Sequence, residues 1–85
     1  MSDAQKIMDD FNHDFKFVVE SLNQMPNLAK GSNTSYLMVS INKSMGLCQT
    51  NMERMCGHDM EAARQMEREL EKASETYQRY FNAGY

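Results

Sequence analysis

Apolar residues between Thr34 and Cys56 recur at alternating intervals of three and four. They are Met38, Ile41, Met45, Cys48, Met52 and Met55. Because an α-helix completes a turn every 3.6 residues, this spacing places all six side chains on one face of a helix. The pattern therefore predicts a middle helix over about residues 34–56, with that face buried.

The same spacing occurs in the segments before and after the middle helix. It joins Ala4, Met8, Phe11, Phe15, Val18, Leu22 and Met25 in the first segment, and Ala63, Met66, Leu70, Ala73, Tyr77 and Tyr80 in the last. Each segment is long enough for about six helical turns. The chain is therefore expected to be all-α, with helices at about residues 3–25, 34–56 and 60–82.

Residue types at the segment ends are typical of helix boundaries. Ser2 and Asp59 can cap the first and third helices, and Ser32, Asn33 or Thr34 can cap the second. Pro26 disfavours helical geometry at the residue before it, so the first helix should end at Met25. Gly57 should stop the second helix, and the third should fray at Asn82 and Gly84.

One eight-residue loop, 26–33, and one very short turn connect the three segments. Helices of matched length with such connections most simply form an antiparallel three-helix bundle, or a helical hairpin plus a third helix, in a single domain spanning residues 1–85. The narrow spacing is also typical of coiled-coil interfaces. A coiled-coil-like oligomer is therefore the alternative architecture.

The composition excludes several classes of protein. Nine Lys and Arg residues against twelve Asp and Glu give a net charge of −3, which argues against a basic nucleic-acid-binding surface. No segment approaches the roughly 20 apolar residues that span a bilayer, and the N-terminus is not of signal type. Cys48 and Cys56 lie too far apart on one helix to form a disulfide. We therefore expect a soluble, cytoplasmic protein without membrane association.

The middle segment is nearly free of charge, and this suggests a contact surface. Residues 21–52 contain no acid and only Lys30 and Lys43 as bases. Small polar residues allow helices to approach closely, and interface cores are depleted of charge. The predicted contact residues are Ser40, Ser44, Leu47 and Asn51, with Phe17 of the first helix as an outer contact. The competing interpretation is a sparsely charged but solvated helix.

The loop before the middle helix suggests an alternative function. Free backbone N–H groups at a helix start can bind phosphate, and a nearby cation would assist. The residues in question are Lys30, Gly31, Ser32, Asn33 and Thr34. This segment lacks P-loop spacing, and an ordinary glycine turn with a helix cap explains the same residues.

The sequence offers no convincing catalytic or metal site. Asp9, Asp10, His13 and Asp14 are close together on the first helix, but they form only one imperfect half of a di-iron motif. No spacing brings a nucleophile, a base and an orienting group together. We therefore expect no enzyme activity, no metal and no cofactor.

These observations lead to one preferred function and one alternative. The preferred prediction is a small helical interaction protein that forms homo-oligomers and docks on a larger protein assembly as an adaptor, inhibitor or minor structural subunit. The alternative is a module that holds a phosphate-bearing, nucleotide-like molecule at the start of the second helix.

Overall fold

Three helices account for most of the chain in the computed structural model, which describes residues 2–85. They are α1 (Asp3–Gln24), α2 (Ser32–Met55) and α3 (Met60–Asn82). A single 3-10 turn, Met25–Asn27, follows α1, and residues 2–85 include no strand. None of these helices is both long enough and apolar enough to cross a bilayer. The predicted all-α three-helix bundle is confirmed.

Two core clusters show how the helices run. Near one end of the bundle, Ile7 and Phe11 of α1 pack with the C-terminal half of α2 and the N-terminal half of α3. Near the other end, Val18, Leu22 and Met25 pack with Met38 and Ile41, early in α2, and with Ala73 of α3. Helix α2 is therefore antiparallel to both α1 and α3. Burying each large apolar side chain contributes about 1.5–3 kcal/mol, and this burial holds the bundle together.

The predicted apolar faces correspond closely to the core. On α2, five of the six predicted residues are buried, and Met45 is half-buried. On α1, Met8 and Phe15 of the predicted spacing are half-buried. Ile7 and Val19 were expected to widen the stripe, and Ile7 is buried as expected whereas Val19 is 38% exposed. Ile7 and Phe11 both lie in the core cluster to which α2 and α3 also contribute, so the core face of α1 is broader than a two-in-seven seam.

Two of the three helix starts have the expected caps. The Gln5 N–H donates to Ser2 Oγ at 3.2 Å, and the Ala62 N–H donates to Asp59 Oδ1 at 3.1 Å. The expected cap of α2 was wrong, because Gly31 occupies the cap position. Its N–H donates to Thr34 Oγ1 at 2.9 Å, so the hydroxyl acts from inside the first turn.

The first two helix ends differ from the sequence expectation. Met25 keeps helical dihedrals, φ −52° and ψ −44°, because the chain continues into a 3-10 turn in which Pro26 occupies an early position. Gly57 does not adopt a positive φ. Instead, the His58 and Asp59 N–H groups both donate to the Met55 carbonyl, at 2.9 and 2.8 Å, and the chain reverses there.

The end of α3 is closed, whereas the sequence suggested that it would fray. Gly84 has φ +90°, which only glycine adopts readily. The Gly84 N–H donates to the Phe81 carbonyl, and the Tyr85 N–H donates to the Tyr80 carbonyl, both at 3.1 Å. The rings of Tyr80 and Tyr85 meet edge to face at 5.4 Å. Together these contacts form a Schellman motif with its hydrophobic contact.

Candidate interaction surface

Two small polar side chains of α2 lie where α2 meets α1. Ser40 and Ser44 are half-buried and line a groove together with residues of α1. Ser21 of α1 and Thr34 of α2 are buried. Helix α1 packs more extensively against α2 than against α3. The small size of these residues therefore allows α1 of the same chain to pack closely against α2, so part of this α2 face is already covered.

Four of the five predicted contact residues line one groove between α1 and α2. Phe17 and Leu47 are exposed residues on its two helices, and Ser40 and Ser44 also line it. The groove has a volume of about 570 Å³, and its other lining residues are His13, Asp14, Lys16, Glu20 and Lys43. The fold thus brings Phe17 together with the α2 residues, which the sequence treated as a separate outer contact.

Asn51, the fifth predicted contact residue, is placed differently. Its side chain is only 8% exposed, and its Oδ1 accepts a hydrogen bond from Arg54 Nη1 at 3.3 Å. A buried amide that is already bonded within its own helix offers little surface to another chain. We therefore leave Asn51 out of the candidate surface.

Two strongly exposed apolar residues of α2 were absent from the predicted contact set. Tyr36 is 76% exposed and Val39 is 67% exposed, while Leu47 on the same helix is 48% exposed. All three lie off the buried face of α2. The signal that could have identified them is their apolar character at helix positions that the core spacing leaves outside.

A second seam runs along the outside of α2. Tyr36, Ser40, Lys43 and Leu47 follow one another at intervals of four, three and four, so they lie along one strip of the helix. Lys43 is the only charged residue in this strip. We call these four residues, with the adjoining Val39 and Phe17, the outer α2 surface.

Three of the five residues of the predicted phosphate site, Lys30, Gly31 and Thr34, have partners within the chain. Lys30 Nζ donates to the Ala83 carbonyl at 2.6 Å and lies 5.1 Å from the centre of the Tyr85 ring. Thr34 is buried, and its hydroxyl donates to the Gly31 carbonyl at 2.9 Å. Ser32 and Asn33 are exposed. Lys30 thus caps the C-terminal end of α3, where a positive charge is favourable. Phosphate binding at this loop stays a prediction.

The two cysteines occupy contrasting positions. Cys48 is fully buried, with Sγ 3.9 Å from the Phe11 carbonyl oxygen, whereas Cys56 is exposed near the α2–α3 turn. Burial raises the pKa of the Cys48 thiol to about 12, and the nearby Asp14 charge acts in the same direction. At neutral pH Cys48 is therefore a protonated core residue and not a nucleophile.

Other chemical groups do not converge on a site in the part of the chain that the structure describes. Within residues 2–85, no three His, Cys, Asp or Glu side chains are grouped so that they could hold a metal ion. Comparisons with protein-family models, curated proteins and solved structures found no match to this chain. The outer α2 surface is consequently the feature from which a function can be argued.

Proposed function

We propose that this protein is a non-enzymatic helical interaction protein that associates with itself through the outer α2 surface. In this role it docks on a larger protein assembly as an adaptor, inhibitor or minor structural subunit. One observation carries the proposal: Tyr36, Val39 and Leu47 are exposed along a helix face that contains no acidic residue. Apolar side chains grouped on a charge-depleted surface are typical of protein contacts.

The free energy gained by covering these apolar side chains, set against the cost of association, indicates how many of them the contact must use. Fully covering one apolar side chain contributes about 1.5–3 kcal/mol, so covering a half-exposed Leu47 contributes roughly 1 kcal/mol. Association costs about 4–15 kcal/mol in lost translational and rotational freedom. A stable contact must therefore use several of these side chains together, along the whole seam from Tyr36 to Leu47.

Light scattering coupled to size-exclusion chromatography, over a range of concentrations, tests the proposal. We expect the chain to form an oligomer that Leu47→Glu dissociates, because the change places a charge in the apolar contact. Gln78→Glu adds the same charge at an exposed position of α3 and should leave the mass unchanged. Circular dichroism of both variants checks that the helices are retained. A monomeric parent chain, or equal effects of the two variants, would contradict self-association through this surface.

We also propose a cytoplasmic location for the protein. The support is that Cys48 and Cys56 are both free, as thiols commonly are in a reducing compartment. Fractionation of cells that express a tagged chain would test this location, and enrichment outside the cytoplasm would contradict it.

A further inference from the structure

We infer that the partner on the outer α2 surface is a second copy of the chain, with the two α2 helices packed antiparallel. The two copies are related by a two-fold axis that crosses α2 midway between Ser40 and Lys43. This inference rests on the proposed function and adds to it the orientation and register of the contact.

The spacing of the outer seam supports an antiparallel pair. Tyr36 and Leu47 lie at equal distances, in residues, from the midpoint between Ser40 and Lys43. A two-fold axis at that midpoint places Tyr36 of one copy on Leu47 of the other, and Ser40 on Lys43. Such self-complementarity is what an isologous dimer interface requires.

The chemistry of each pair is favourable in this register. At both ends of the contact, the Tyr36 ring meets Leu47 beside Phe17, which lines the same groove as Leu47. At the centre, the small Ser40 leaves room for the long Lys43 side chain. Asp14 and Glu20 line this groove beside Lys16 and the chain's own Lys43, so the arriving Lys43 ammonium finds carboxylates of opposite charge within a groove of mixed charge.

A parallel pair would be less favourable on the same residues. In that arrangement each residue of the seam faces its own equivalent, so Lys43 would lie against Lys43 of the second copy. Like charges placed opposite each other oppose association. The antiparallel register offsets the two lysines along the helices and brings each one towards a serine.

The seam of the contact covers about half the length of α2. Helix α2 has 24 residues, which at 1.5 Å per residue makes it about 36 Å long. The seam from Tyr36 to Leu47 is about 17 Å long, so it buries less than the roughly 800 Å² per partner of standard interfaces, and we expect a dimer that dissociates on dilution.

Distances between spin labels on the two copies test the register directly. Labels are attached to Asn42→Cys or Glu53→Cys in a Cys56→Ser chain, with the buried Cys48 retained. Both labelled positions are exposed, and neither belongs to the outer α2 surface. In the antiparallel pair the two Asn42 labels are separated by about 1.5 Å along the helix axes, and the two Glu53 labels by about 35 Å.

The outcomes separate this inference from the proposed function. A dimer with a much longer Glu53 distance than Asn42 distance supports the antiparallel register. A dimer with similar distances at the two positions overturns the register but leaves self-association standing. A chain that is monomeric at all accessible concentrations overturns both.

Two charge changes at the centre of the contact give an independent test. Lys43→Glu removes the cation and adds a carboxylate near Glu20 of the other copy, so it should weaken dimerisation about tenfold or more. Ser40→Glu places a carboxylate opposite Lys43, so it should leave the dimer as tight or tighter. Equal weakening by the two changes would overturn the register, and circular dichroism checks that both variants fold.

Discussion

Helices α2 and α3 have nearly the same length but very different outer surfaces. Helix α3 has nine charged residues among 23, whereas α2 has three among 24. Both helices nevertheless contribute apolar residues to the same two core clusters. The difference between them is therefore confined to the faces that point away from the core.

This contrast separates the helix positions that core packing requires to be apolar from the positions at which it accepts polar residues. The outward face of α3 is charged and solvated along the middle of the helix, and the large apolar residues that α3 exposes, Met60 and Phe81, lie at its two ends. The fold therefore does not require Tyr36, Val39 and Leu47 to be exposed on α2, and polar residues could occupy those positions at little cost. An interaction gives a physical reason for apolar residues there.

The largest expected effect separates the inner and outer faces of α2. Ile41→Ala removes a fully buried side chain, so it should lower the free energy of unfolding by about 2–5 kcal/mol. Leu47→Ala, on the outer face, should lower it by less than about 1 kcal/mol. Urea unfolding at low protein concentration, at which association is weak, measures both values.

Measuring Ile41→Ala and Leu47→Ala again at high protein concentration tests whether the outer face of α2 forms the contact in the oligomer. At high concentration Leu47→Ala should lose additional stability, because association stabilises the folded chain by mass action. Ile41→Ala should show only the loss already measured at low concentration. If Leu47→Ala cost as much as Ile41→Ala in the dilute chain, Leu47 would be part of the core and the division of α2 into two faces would be wrong.

A smaller, pH-dependent effect on the free energy of unfolding tests the buried face of α2 alone, through Cys48. The pKa of the Cys48 thiol is raised from 9.0 to about 12 in the folded chain, so between these values the unfolded thiol ionises while the folded one remains protonated. The contribution of Cys48 to the free energy of unfolding should therefore be complete below pH 9 and decrease as the pH rises towards 12. The slope from this group is at most about 1.4 kcal/mol per pH unit.

The Cys48→Ala variant isolates that contribution from other groups that titrate in the same range. Unfolding of the parent and variant chains is followed by circular dichroism from pH 7 to pH 11. The parent should lose stability faster than Cys48→Ala above pH 9. Identical slopes would show that the Cys48 thiol is more accessible to water than its burial indicates.

The helices and their core could be predicted because periodic spacing determines which face is buried. Residues such as Ile41 and Phe11 are identified by pattern alone, since burial of apolar area provides most of the favourable free energy of folding. The ends were less predictable. The Schellman motif at Gly84 depends on contacts of Tyr85 with Tyr80 and Lys30, and the contact with Lys30 joins residues far apart in the chain.

The candidate surface could be predicted only in part, because its geometry depends on how α1 packs on α2. A sequence pattern identifies Ser40 and Leu47 as outward positions, but it does not show that Phe17 lines the same groove. Nor does it show that Asn51 is buried beside Arg54. These placements follow from the crossing of two helices, which single-helix periodicity does not determine.

The smallest expected effect concerns Gly46, which lies in the interior of α2. A Cβ atom at this position would meet nothing within 4 Å, so nothing inside the chain requires glycine there. Gly46→Ala should therefore raise the stability of the dilute chain by about 0.8–1 kcal/mol, because alanine favours the helix. Since Gly46 lies outside the outer seam, dimerisation in the antiparallel register should be unchanged. A variant that is more stable but no longer dimerises would mean that the second copy approaches α2 on the side of Gly46, and the contact surface would have to be redrawn around that residue.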